Sequence, residues 1–97
     1  MKVYISGAIT NNPNYKEEFE DAEKLLKRNG CEPINPIDEE GKTWSEYMRR
    51  DIKILCDCDA IYQIKGWEKS CGAKLENDIA KALGLLFVRY KETENKK

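Results

Sequence analysis

Residues Trp67–Gly84 read WEKSCGAKLENDIAKALG. Apolar positions recur at helical spacing and Gly84 supplies a stop, so the spacing predicts a helix over Ser70–Leu83. At about 100° per residue, Gly72, Leu75, Ile79, Ala80, Ala82 and Leu83 fill one arc. Lys74, Asn77, Asp78 and Lys81 fill the other. Glu76 falls near the middle of the apolar arc, where a leucine is expected.

Outward from this helix, DAIYQI before it and LLFVRY after it are apolar runs of strand length, joined to it by the loop KGWEKS and by Gly84. Both lack alternation, as strands buried on two faces do. Upstream, KVYIS is a first strand ending at Gly7, and GAITNNPN is a loop. Tyr15, Phe19, Ala22 and Leu26 mark a helix from Tyr15 to Asn29. CEPIN is a short strand that Pro33 assigns to a sheet edge, and residues 36–42 are a loop. Thr43 or Ser45 caps a helix running to Cys58. The order β-α-β-α-β-α-β implies a parallel sheet with helices on both faces. The expectation is a single-domain α/β fold over residues 1–90, a Rossmann/flavodoxin-like three-layer sandwich. It has a four-stranded parallel sheet in the order 2-1-3-4, three main helices, and a polar tail over 91–97. Ligands in such sheets sit beyond the carboxyl ends of the strands. That rim comprises the loops 7–12, 36–43 and 65–70.

The second helix repeats the anomaly of the third. Trp44, Tyr47, Met48, Ile52, Ile54 and Leu55 form its apolar arc, and Asp51 projects into the centre. The first helix has a clean stripe. Burying an ionised carboxylate costs several kcal/mol or raises its pKa unless it is paired, and neither arc offers a Lys or Arg. A helix twist toward solvent or bonds to backbone amides would explain either residue singly. Two convergent carboxylates beside the ligand rim suit cleavage of a glycosidic bond. The small residues of SCGA would let a substrate approach the backbone, or simply let helix and sheet pack closely. Trp44 and Trp67 could stack on a base, or act as packing caps.

Composition narrows the classes further. The 97 residues are 40% apolar and 36% charged, with net charge -1 and a pI near 5.6. That balance provides no basic field for a nucleic-acid polymer. No apolar run reaches membrane-span length, and MKVYISG reads as a strand rather than a signal peptide, so a cytoplasmic protein is expected. With no histidine, Ser-His-Asp and Cys-His chemistry is excluded within the chain. Cys31, Cys56, Cys58 and Cys71 lack zinc-knuckle spacing and read as reduced thiols serving as small apolar residues.

The motifs VYISGAIT, INP and WSEYMRRDIKILCDCDAIYQIKGWEKSCGAKLENDIAKALG resemble a family of small bacterial and phage domains classed as nucleoside 2-deoxyribosyltransferase-like. The resemblance runs from Lys2 to Val88. More distantly the chain is similar to nucleoside 2-deoxyribosyltransferases and deoxynucleoside 5′-monophosphate N-glycosidases. The resemblance implies that Glu76 is the nucleophile, that Asp51 positions the sugar and transfers protons to the base, and that Tyr4 orients Glu76. The position of Ser70 carries an aspartate in the transferases and a serine in the monophosphate glycosidases, which implies a contact to the 5′ end. The glycosidases' first loop is glycine-rich with an arginine; here it has Gly7 and no arginine.

The expected activity is cleavage or transfer at the N-glycosidic bond of a deoxynucleoside or its 5′-monophosphate. Gly7, Ala8, Ile9, Ser70, Gly72, Trp67 and Trp44 are expected to bind substrate. No metal or organic cofactor is required, and a homodimer or larger homo-oligomer is expected. The alternatives are a nucleotide-binding or sequestering module of the same fold, and a structural or partner-binding role.

Overall fold

Strand β1, Lys2–Ser6, carries β-branched and aromatic residues and becomes the centre of the molecule. The computed structural model describes residues 1–37 and 43–90. The tail and most of the expected 36–42 loop therefore lie outside the described residues. The elements follow as α1 (Tyr15–Arg28), β2 (Glu32–Ile34), α2 (Trp44–Cys56), β3 (Ala60–Gln63), a 3-10 turn (Trp67–Lys69), α3 (Cys71–Leu83) and β4 (Leu86–Phe87). The sheet is parallel, in the order β2-β1-β3-β4. Tyr4 pairs with Ile34 on one side and Ile61 on the other. Pro33 does sit in an edge strand, where its missing N–H costs least.

Side chains alternate across a strand, and β1 feeds two cores. Val3 and Ile5 join Phe19, Ala22 and Leu26 of α1 on one face. Tyr4 joins Leu55 of α2, Ile61 of β3 and Ala80 of α3 on the other. Ser6 shares the face of Tyr4, so whatever these two hold lies under α2 and α3.

Each helix boundary has a local cause. Thr43 caps α2 in a capping box, its side chain accepting from the Glu46 N–H while the Glu46 carboxylate accepts from the Thr43 N–H. Ser70 caps α3, its hydroxyl accepting from the Ala73 N–H at 3.2 Å. Gly84 ends α3 in the left-handed region at φ 73°. Among the described residues no helix is long and apolar enough to cross a membrane.

Four expectations need correction. LLFVRY is not a strand buried on both faces: β4 is a two-residue edge strand, and Leu86 and Phe87 are exposed. On α3 the buried stripe is Gly72, Ala73, Glu76, Asn77 and Ala80, while Leu75 and Leu83 face outward. Small side chains bring the helix close to its neighbours, so the packed stripe is narrower than the apolar arc and centred elsewhere. Asn77, assigned to the solvated arc, is buried and accepts from Gln63 Nε2 at 2.9 Å. Among the cysteines, Cys58 is buried, where burial pushes its thiol up to about 11, and Cys31 packs half-buried against the core beside α1; Cys56 and Cys71 are exposed instead.

Leu26 is fully buried and Leu83 is 52% exposed. Leu26→Ala is therefore expected to cost about 2–5 kcal/mol, and Leu83→Ala about 0.5 kcal/mol or less. Urea unfolding measures both, and equal losses would contradict the outward placement of Leu83.

Candidate active site

The α3 helix begins against α2 because its first turn has almost no bulk. A β-carbon on Gly72 would lie 3.1 Å from Met48 Sδ and 3.8 Å from Trp44 Nε1. That closeness carries Glu76, one turn further on, under β1. Its carboxylate accepts from Tyr4 Oη at 2.6 Å on Oε2 and from Ser6 Oγ at 2.7 Å on Oε1. Glu76 is 5% exposed. Burial pushes its carboxyl up, the Tyr4 and Ser6 hydrogen bonds pull it back, and the charge of Asp51 pushes it up again, to about 7. The Tyr4 hydroxyl is driven far above its ordinary value, by burial first and then by Glu76 and Asp51. Tyr4 therefore stays protonated and remains a donor.

Asp51 of α2 is also buried, but a cation holds it. Arg50 donates to Asp51 Oδ1 through Nη2 at 2.8 Å and Nε at 3.1 Å. The same guanidinium donates to the Pro36 carbonyl and lies 5.6 Å from the centroid of the Tyr47 ring. The expectation that no Lys or Arg is available was wrong for Asp51. Projection onto a wheel puts Arg50 on the opposite arc, and its long side chain folds back around the helix.

Both carboxylates line one cavity of about 300 Å³, within the range of small-molecule sites. Tyr4, Gly7, Ile9, Ser70, Gly72 and Trp44 line it as well. Ala8 is not among the lining residues; its carbonyl accepts from Asn12 Nδ2, which also donates to Glu18 and so pins the loop after β1. Trp67 also departs from expectation. It lines a second hollow beside Lys65, Phe87 and Tyr90, because the 3-10 turn carries it toward β4. Ser6, Arg50 and Tyr47 were not anticipated. The signal for Ser6 was its position two residues beyond Tyr4, on the same face of the strand. Among the described residues no cluster of carboxylates and thiols is gathered to hold a metal ion.

Residues 1–89 match the family model described as domain of unknown function DUF4406. No curated protein matches the chain. Among solved structures, the chain is similar to a 2-desoxiribosyltransferase from Leishmania mexicana, at 25% identity and TM-score 0.70, over 90% of this chain and 61% of that one. The chain thus spans about three fifths of that protein's length. It also shares the fold of a CMP N-glycosidase from Clostridium botulinum, at 22% identity and TM-score 0.66, over 90% of this chain and 68% of that one.

Glu76 holds its proton to about pH 7 when folded, against an ordinary value of 4.5. The folded state therefore binds more protons between these values, and stability falls as pH rises. The contribution is complete below about 4.5 and lost as pH passes 7. Its size is on the order of 3 kcal/mol. Urea unfolding of wild type and Glu76→Gln across pH 4–8 should show this decline in wild type alone. Parallel curves would contradict it.

Proposed function

The chain belongs to the DUF4406 family, and we propose that it cleaves or transfers at the N-glycosidic bond of a deoxynucleoside or its 5′-monophosphate. The observation that carries this reading is the shared cavity, in which the Glu76 carboxylate is held by Tyr4 and faces the same space as Asp51. Similarity to a deoxyribosyltransferase fold supports the same chemistry.

An ionised Glu76 attacks the anomeric carbon. The bond from that carbon to the base nitrogen breaks, its electron pair leaves with the base, and a glycosyl ester forms on Glu76. Asp51 holds the departing base or passes it a proton. The guanidinium of Arg50 offsets the charge that Asp51 brings into the wall. A water then attacks the same carbon and releases Glu76, giving hydrolysis; a second base in its place gives transfer. With its carboxyl at about 7, Glu76 is ionised in roughly half of the molecules at neutral pH. The low end of the pH–rate profile should therefore rise through neutrality.

Ser70 and the start of α3 take the 5′ end of the substrate, with Gly72, Gly7 and Ile9 forming close walls. Trp44, which lines the cavity and is 57% exposed, stacks on the base in this proposal. Assembly into a homodimer or larger belongs to the same proposal. The outward Leu75 and Leu83 of α3 support it as apolar surface to cover.

Incubation with a panel of deoxynucleosides and their monophosphates, followed by peptide mass spectrometry, should find a deoxyribosyl group on Glu76. Glu76→Ala should lose on the order of 10³-fold or more in kcat/KM. Equal behaviour of wild type and variant across the panel, including none at all, defeats the catalytic reading. Binding without any change to the ligand would favour the non-catalytic module.

A further inference from the structure

The proposed chemistry uses Tyr4, Asp51 and Glu76 and leaves one buried hydroxyl without a task. Ser6 is the last residue of β1 and 1% exposed, on the strand that runs through the middle of the sheet. An aliphatic side chain would bury more apolar area there, and a buried hydroxyl is unfavourable unless it is bonded. Ser6 Oγ donates to Glu76 Oε1 at 2.7 Å, while Tyr4 Oη takes Oε2 at 2.6 Å. Each carboxylate oxygen thus has its own neutral donor, and both donors come from one face of one strand. A single donor would leave the carboxylate free to swing about that contact. Two donors on different oxygens fix its plane.

We propose that Ser6 is a positioning residue, whose hydroxyl holds Glu76 Oε1, sets the plane of the carboxylate and stabilises its charged form. The part played in turnover rests on the nucleophilic reading of Glu76; the hydrogen-bond part does not. The charged and titratable groups that face Glu76 are Tyr4 from β1 and, from α2, Asp51 with its partner Arg50. All three stay in place when Ser6 alone is changed. Charge-assisted hydrogen bonds are among the stronger ones, and loss of this bond should raise the Glu76 titration midpoint by about one unit, a tenfold change in the ionisation equilibrium.

The test compares wild type, Ser6→Ala and Ser6→Cys, each also in the Glu76→Gln background. The midpoint of Glu76 is read by carbon NMR of its carboxyl, and stability is followed against pH. Ser6→Ala should move the midpoint upward by about one unit, and Ser6→Cys, with a weak donor of similar size, by less. In the Glu76→Gln background neither variant should change the pH dependence of stability. Where turnover is present, the rising limb of the pH–rate profile should move by the same amount, with kcat lowered at neutral pH and KM little affected. An unmoved midpoint in both Ser6 variants overturns the proposal. A moved midpoint with no turnover of any nucleoside keeps the assignment of Ser6 and removes the reaction. Turnover with a wild-type pH profile and an unmoved midpoint does the reverse.

Discussion

One carboxyl group beneath a central strand organises this protein. Glu76 is 5% exposed, at the wall of the cavity, so most of its charge has to be met by the fold rather than by water. Two hydroxyls of β1 meet it, and they can do so because β1 is covered on both faces. The small first turn of α3 follows from the same constraint. With Gly72 against Met48 and Ser70 closing the cap, the helix comes near enough for a glutamate to reach the strand. A side chain at Gly72 would press on Met48 Sδ, which lies 3.1 Å from where its β-carbon would sit.

The two buried carboxylates are stabilised by different means. Glu76 has neutral donors and is left near the middle of the physiological range, where it can be both charged and protonated. Asp51 has a guanidinium, which supplies an opposite charge and links it to the Pro36 carbonyl and the Tyr47 ring. Unequal environments around paired carboxyl groups divide their roles. Here the neutral clamp suits a group that must form and release a covalent bond. The ion pair suits a group that holds substrate in place.

Much of the architecture was legible in the chain. The succession of strands and helices, the edge placement of β2 and the stop at Gly84 follow from hydrophobic spacing, Pro33 and cap chemistry. Glu76 and Asp51 were legible too, because each interrupts a run of apolar side chains at helical spacing. Leu75 and Leu83 were misread for a physical reason: periodicity reports which residues are apolar, and the close approach of small residues decides which of them are covered. Arg50 was hidden because a wheel projects Cβ directions and ignores the reach of a long side chain.

The sequence by itself determined that an acidic group interrupts the apolar arc of each of two successive helices, since local geometry alone sets which positions share a face. Only the tertiary structure decided what each carboxylate touches. The donors to Glu76 lie 70 and 72 residues away along the chain, and that meeting depends on the packing of α3 against β1. It also decided that Trp67 turns toward β4 while Trp44 faces the cavity. A 3-10 turn sets the first of these directions and the start of α2 the second, and residue type encodes neither.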